Sequence, residues 1–247
     1  MLASRKPQAS SSLLQYRQHK AIRRQGSIPK RNRVEADIMR RPRFIAEQAR
    51  NAKGPIGRVI AWIMARETQR DNLLAIEALD LRETDHVLDI GAGHGWALAR
   101  IASQTQIGTV TGLDPSSLMV DIAKRRNATL VRDGKVTIRQ AHVAHLPLPD
   151  AAVDKAMSVH TLYFWPDLGG SFKEIARVLK PQGQLVLVFR SSDDVRAAAA
   201  FPAEVYSFPA VADVISALRH AGFSVSAPRL DQTPPQGYIV MVATRQA

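Results

Sequence analysis

Val87-Leu88-Asp89-Ile90-Gly91-Ala92-Gly93-His94-Gly95-Trp96 is the stretch whose reading decides the fold. A short apolar run contains an acid, glycines follow at alternate positions, and a helical pattern begins at Trp96. This order predicts a buried strand that turns sharply into a helix over a small anionic or zwitterionic ligand. Glycine suits such a turn because it tolerates positive φ and lets ligand atoms approach the bare backbone. The spacing departs from the dinucleotide fingerprint G-x-G-x-x-G, since the third glycine comes one position early and Trp96 takes its slot. Asp89, two residues before the first glycine, is also unlike a pyrophosphate site, where a carboxylate would repel the ligand. A strand-turn-helix with purely structural glycines is the competing reading, and the next strand discriminates between them.

That strand, Thr109 to Leu113, ends in Asp114-Pro115, and Asp114 follows Gly95 by 19 positions. This is about the separation at which an acid ending the second strand meets ribose hydroxyls in nucleoside-binding α/β folds. Asp followed by Pro equally suits a helix N-cap, and the two roles are compatible. An acid-x-Gly-x-Gly-x-Gly run with an acid after the second strand resembles the class I, Rossmann-like S-adenosylmethionine-dependent methyltransferases.

The segment Val136 to Gly183 extends the likeness. A strand at Val136 to Ile138 precedes His142-Val143, Leu146-Pro147 and Asp150. A further strand follows at Lys155 to Val159, and then Arg177-Val178-Leu179-Lys180-Pro181-Gln182-Gly183. This resembles the branch typified by ubiquinone and menaquinone C-methyltransferases, often described as type 11, over roughly residues 85 to 190. Two positions depart from it. His142 stands where an Asp beside the adenine is usual, and Gln182 where a glycine is common, which is expected only to tighten a turn.

The resemblance implies S-adenosylmethionine as cofactor, with a set of holding positions. Gly91, Ala92, Gly93 and Gly95 would surround its methionine portion, whose carboxylate can meet the following helix N-terminus. Asp89 would hold the loop or face the amino group, and Asp114 with Pro115 the ribose. Met119 would pack on the adenine or serve as an ordinary core methionine. Val143 would bring a backbone amide to the adenine edge with His142 flanking it, and Ser158 completes the set. On the acceptor side, His160 is the candidate general base, since an imidazole accepts a proton at neutral pH; a hydrogen-bonded structural histidine is the alternative. Tyr163 would orient an acceptor, and Trp62, Tyr163, Phe164, Trp165 and Tyr206 would give the pocket a mostly apolar surface. No metal site is expected, because the other histidines lack ligand-like spacing with carboxylates.

Strands alternate with helices along the chain, which argues a parallel sheet. Strands are expected at His86–Ile90, Thr109–Leu113, Val136–Arg139, Lys155–Val159, Gln184–Phe189, Phe223–Ala227 and Tyr238–Thr244. The last joins through a Pro234-Pro235-Gln236-Gly237 turn. The fold expectation is therefore a Rossmann-like α/β domain, a seven-stranded mostly parallel sheet with one antiparallel strand, over residues 85–247. Residues 41–84 read as N-terminal helices forming part of a lid, including Pro55–Ala65 with an apolar face of Ile56, Val59, Ile60 and Ile63. Ser191 to Phe208, aperiodic and alanine-rich, is expected to help form the acceptor pocket.

Composition narrows the function. The chain has 247 residues and no cysteine, which removes disulfides, thiolate metal sites, iron–sulfur radical methylation and cysteine nucleophiles. Its net charge is +12, yet residues 1–50 hold 13 Lys/Arg against 3 Asp/Glu. Of the 34 basic and 22 acidic residues, 21 and 19 remain for the rest, so the body is nearly neutral. The basicity belongs to a tail over residues 1–40, which reads foremost as a disordered arm. An arm for RNA or acidic membrane, an organellar transit peptide, and sequence upstream of a true start at Met39 are the other readings. The segment Ser158 to Trp165 lacks the Asn/Asp-Pro-Pro-Tyr/Phe run of enzymes that methylate exocyclic amines of bases, so a nucleic-acid partner is not expected. The expectation is a cytoplasmic methyltransferase (organellar if the tail is a transit peptide) for a small, mostly apolar acceptor. An RNA or ribosome modifier and a non-catalytic cofactor-binding partner are the alternatives.

Overall fold

The structure, a computed structural model, describes residues 41–106, 108–194, 199–231 and 237–247, without the side chains at 61, 62 and 64–66. The tail over 1–40, the side chain of Trp62 and most of the 234–237 turn lie outside the described residues.

Helices α1 (Arg43–Arg50), α2 (Gly54–Glu67) and α3 (Gln69–Leu79) precede β1 (Val87–Ile90). Then come α4 (Trp96–Gln104), β2 (Val110–Asp114), α5 (Ser117–Arg126), α6 (Ala128–Arg132), β3 (Val136–Gln140) and β4 (Val153–Val159). The chain continues with α7 (Leu168–Val178), β5 (Leu179–Phe189), α8 (Val211–His220), β6 (Phe223–Val225), β7 (Arg229–Asp231) and β8 (Tyr238–Arg245). The sheet order is β3-β2-β1-β4-β5-β8, with β6 and β7 both on the free edge of β8. β1 to β5 pair in parallel, and β8 runs against β5, β6 and β7.

The sheet thus has eight strands where seven were expected. The additional one, β7, pairs Arg229–Asp231 with Val240–Tyr238, while β6 pairs Phe223–Val225 with Arg245–Ala243. The two lie in line along one edge, so eight segments fill seven places and one strand, β8, is reversed. Every residue of β1 is buried, as a strand covered by helices on both faces requires. β5 begins at Leu179 rather than Gln184, with an irregularity between Val153 and Lys155 in its partner. Gln182 there has φ +65°, a left-handed backbone that explains why glycine is common at this position and costs a side chain about 1 kcal/mol.

The N-terminal helices divide into two groups. α3 packs against β4, β5 and β8, burying Asp71, Ala75, Ile76 and Leu79 at the i, i+4 and i+8 spacing of one helix face. α2 packs on α1, α3 and α5, and of its expected apolar face only Ile60 is buried. Ile56, Val59 and Ile63 are 59%, 59% and 46% exposed. α1 was not foreseen, because its first turn follows Arg41-Pro42 without a capping side chain.

The reversal of strand order on either side of β1 places a crevice beyond the carboxyl ends of β1, β2 and β4, where α/β folds bind ligands. Buried Asn127, at the end of α5, ties this region together: its Nδ2 donates to the carbonyls of Gly95 at 3.0 Å and Ala123 at 2.9 Å. Asn127→Ala, which orphans the Gly95 carbonyl, is expected to lower stability by about 1–3 kcal/mol, read from the urea midpoint.

Candidate functional site

A cavity of about 340 Å³ occupies that crevice. Its walls come from Ile90–His94, Trp96, Ala97, Leu113–Ser116, Met119, Ala141–Val143, Leu146, Val159–Thr161, Phe164 and Trp165, closed on one side by Ala49–Ala52, Thr68 and Asn72.

The glycine turn is held from within. Gly91 and Ala92 both donate their N–H to the Leu113 carbonyl, at 2.8 and 2.9 Å, and Gly95 donates to the Ala92 carbonyl at 2.9 Å. Gly93 donates to Asp114 Oδ2 at 2.9 Å. The turn is therefore preorganised rather than a nest of free donors, and its contribution is close approach. Gly93, at φ +54°, has no atom within 4 Å of where a Cβ would stand, so a ligand can lie against its bare Cα. Gly91 and Gly95 are needed for other reasons. A Cβ at Gly91 would collide with the Thr161 side chain, and one at Gly95 would meet Ala123 Cβ at 2.8 Å. Gly95 lies outside the cavity wall and serves as the left-handed start of α4.

Asp114 is 9% exposed and on the wall. Its Oδ1 accepts from the Ser116 N–H and its Oδ2 from Gly93, both at 2.9 Å, and each oxygen keeps a further lone pair. Ser116, not Asp114, caps α5, accepting from the Met119 N–H at 3.3 Å. The Ser116 hydroxyl donates to the Ala52 carbonyl at 2.7 Å and so docks the α1–α2 connection on the site. Burial raises the Asp114 carboxyl from 3.8 to about 6, against the pull of its two backbone donors. Asp89, 3% exposed and behind the wall, is raised to about 7 by burial and then by the nearby Asp114 charge.

The far wall hangs on Arg177, of the Arg-Val-Leu-Lys-Pro sequence. It donates to the carbonyls of Leu146 at 3.0 Å and Leu148 at 2.9 Å, to Asp150 at 2.7 Å, and to Glu174. Glu174 in turn accepts from the Leu146 N–H at 2.7 Å. This clamp fixes the 141–150 loop, which presents Val143 (6% exposed) and Leu146 (2%) beside Met119. Such an apolar slot suits a flat heterocycle. His142 is exposed at its rim and Pro115 lies beside Asp114 on the wall.

His160 lines the opposite side with φ +58°, an uncommon conformation for a side chain larger than glycine. Its Nδ1 is 3.0 Å from the Tyr163 hydroxyl and its Nε2 is 2.8 Å from Asp71 Oδ2. The Arg190 N–H donates to the Tyr163 oxygen at 2.6 Å, so the Tyr163 proton goes to His160 Nδ1 and His160 donates Nε2–H to Asp71. Tyr163, expected to orient an acceptor, is 5% exposed and behind the wall. Burial pushes its hydroxyl well above the usual phenol range, which leaves it a hydrogen-bond partner of His160. Ser158 is fully buried, bonded to Thr161, and does not reach the cavity.

Phe164 and Trp165 line the cavity, whereas Tyr206, 7% exposed, packs behind Phe164 at 4.9 Å. Among the described residues, Ser191 to Phe208 reinforces the wall and does not line it. Phe201 meets Tyr206 edge-on, Phe208 packs tilted against Tyr163, and the Ser207 N–H donates to the Tyr163 carbonyl at 3.2 Å. Sequence reasoning missed Asp71 and Thr161, and it included Ala49–Ala52 only within the broad expectation of a lid over residues 41–84. Asp71, in the first turn of α3, reads as an ordinary N-terminal helix acid, and its contact with His160 spans 89 positions.

A family model described as a methyltransferase domain matches residues 88–187. A Bacillus subtilis protein named as the uncharacterized methyltransferase YdaC is 30% identical over 165 residues, covering 67% of this chain and 86% of that one. The 27-O-demethylrifamycin SV methyltransferase of Amycolatopsis mediterranei is 36% identical over 109 residues, 44% of this chain and 40% of that one. The chain spans only about half the length of this and two other relatives named O-methyltransferases. Geranyl diphosphate C-methyltransferase from Streptomyces coelicolor superposes with a TM-score of 0.62 at 16% identity, over 73% of this chain and 80% of that one, and so shares the fold.

Two expectations follow from the buried acids. An unfolded chain ionises both carboxyls near 3.8, while the folded one holds Asp114 protonated to about 6 and Asp89 to about 7. Folding therefore takes up protons in this window, and the stability of the free protein falls as pH rises from about 4 to about 7. Asp89→Asn should remove much of that slope, on the order of a few kcal/mol, as read from unfolding midpoints at a series of pH values. Asp71→Ala leaves His160 Nε2 unpartnered and should cost about 1.5–3 kcal/mol; Asp71→Asn, whose carbonyl still accepts, should restore most of it in the same measurement.

Proposed function

The chain belongs to the class I, Rossmann-like S-adenosylmethionine-dependent methyltransferases, and from that premise we propose that it methylates a small, mostly apolar organic acceptor. The observation that carries this reading is one constellation: a preorganised glycine turn with open space at Gly93, a wall carboxylate at Asp114, and an apolar slot at Met119, Val143 and Leu146. These residues fit the cofactor. Asp114 offers its remaining lone pairs to ribose hydroxyls, with Pro115 alongside. Gly91, Ala92 and Gly93 surround the methionine portion, and Asp89 supplies negative charge behind them. Met119, Val143 and His142 bracket the adenine, while Gly95 and Ser158 hold the turn and the end of β4 from outside the cavity. When bound, the cofactor supplies an electrophilic methyl group on a sulfonium whose charge is lost on transfer, so the protein's task is alignment and exclusion of water.

His160, Phe164, Trp165 and Thr161 form the acceptor side. The aromatic wall favours an apolar acceptor. Where the acceptor carries a proton to be lost, His160 Nδ1 is the nitrogen that takes it once the Tyr163 hydroxyl yields the position. Asp71 then steadies the imidazolium through Nε2–H. Ala49–Ala52, with Thr68 and Asn72, serves as the lid segment.

Calorimetry with S-adenosylmethionine and S-adenosylhomocysteine tests the cofactor site. The wild type should bind both, and Asp114→Ala should weaken each by at least about tenfold, the worth of one lost charge-assisted hydrogen bond; unchanged affinity would remove Asp114 from the ribose. Incubation with methyl-labelled cofactor and a cell extract, followed by identification of the labelled product, tests the acceptor class. Label found in RNA rather than a small molecule would overturn it.

A further inference from the structure

The outer face of α2 is apolar, exposed and basic at its edges. Gly57 and Ile60 are its packed positions: a Cβ at Gly57 would meet Gln48 Oε1 at 2.8 Å and Leu118 at 3.1 Å, and Ile60 is 7% exposed. Ile56, Val59 and Ile63 follow one another at i, i+3 and i+7, one stripe of the helix, and all three are open to solvent. Phe44, on neighbouring α1, is 58% exposed. Three cations lie at this end of the fold, Arg50, Lys53 and Arg58, all exposed and without a carboxylate partner among the described residues. The acids of α1 and α2 themselves are already taken, Glu47 by Arg43 at 2.8 Å and Glu67 by Arg41 at 3.1 Å. The patch therefore combines aliphatic surface with uncompensated positive charge.

We propose that this face of α2 docks the protein on an anionic lipid surface. An aliphatic stripe bordered by Lys and Arg is the pattern of a helix lying in the plane of a membrane interface, and no described helix is long and apolar enough to cross a membrane. A second copy of the chain is the poorer occupant. A two-fold interface sets the same patch against itself, bringing Arg50, Lys53 and Arg58 against their own counterparts. The placement has a consequence that rests on the apolar-acceptor reading above. Arg50, Asn51 and Ala52, which line the cavity, immediately precede the helix, so an apolar acceptor dissolved in the bilayer meets the mouth of the site directly.

The test is co-sedimentation of the full chain with vesicles of phosphatidylcholine and phosphatidylglycerol in about a 2:1 ratio, and with phosphatidylcholine alone. The wild type should bind the anionic vesicles and bind the neutral ones at least about tenfold more weakly. The combined variant Ile56→Asp, Val59→Asp, Ile63→Asp should lose at least about tenfold in partitioning. Leu230→Asp, at an exposed apolar residue on β7 (49% exposed), should leave it unchanged. Because all four side chains are exposed, unfolding midpoints and calorimetric cofactor affinity should stay at wild-type values. The methyltransferase reading is thus judged separately from the docking. Wild type that ignores anionic vesicles, a triple variant that binds them as well as wild type, or a wild-type dimer in size-exclusion chromatography that the triple variant dissolves would each overturn the proposal.

Discussion

Two buried carboxylates on adjacent parallel strands, Asp89 opposite Gly112 and Asp114 at the end of β2, are the constraint around which the site is organised. Asp114 uses both oxygens on backbone donors, one from the glycine turn after β1 and one from the start of α5. A single side chain therefore sets the distance between the two elements that form the crevice. Asp89 lies behind it in a water-poor environment that raises its carboxyl to about 7. Holding two acids so close at low dielectric works against stability at neutral pH, and it leaves a site whose negative charge a cationic ligand can complete. Strain or stored cost at a crevice of this kind is characteristic of functional sites rather than of cores.

The remaining parts of the site are secondary supports. Arg177 gathers two carbonyls and two carboxylates so that the 141–150 loop, which has little regular structure, stands as a firm apolar wall. On the other side, the Asp71–His160–Tyr163–Arg190 chain of hydrogen bonds links α3, the end of β4 and the end of β5. It fixes the ring orientation and tautomer of His160 from both nitrogens, although its backbone is in the left-handed region. The aromatic residues after β5 brace this arrangement from behind, so their distance from the ligand space does not make them idle.

The N-terminal helices show how one segment can serve different ends. α3 is a core helix whose first turn reaches the cavity, and the α1–α2 connection closes the cavity through Ser116 and Ala52. Among its described side chains, α2 buries Ile60 and turns Ile56, Val59 and Ile63 outward. Its sequence pattern reads as a buried face because periodicity records which residues share a side, not what lies against that side.

Much of the architecture is local in origin and was legible in the chain itself. Alternating strands and helices, the glycine turn after Ile90, Asp114 at the end of the second strand and the Arg177 run each rest on signals within a few residues, and they led to the sheet, its reversed last strand and the crevice beyond the first two strands. Only the tertiary structure decided the rest. The splitting of the edge strand into β6 and β7 depends on the length of β8, and the pairing of Asp71 with His160 joins residues 89 positions apart. The withdrawal of Tyr163, Ser158 and Gly95 from the cavity, and the outward turn of Ile56, Val59 and Ile63, depend on which neighbour reaches a side chain first. Sequence spacing determines backbone conformation and which residues share a face. Which face meets solvent, ligand or core is settled by contacts between distant segments, and these exist only once the chain has folded.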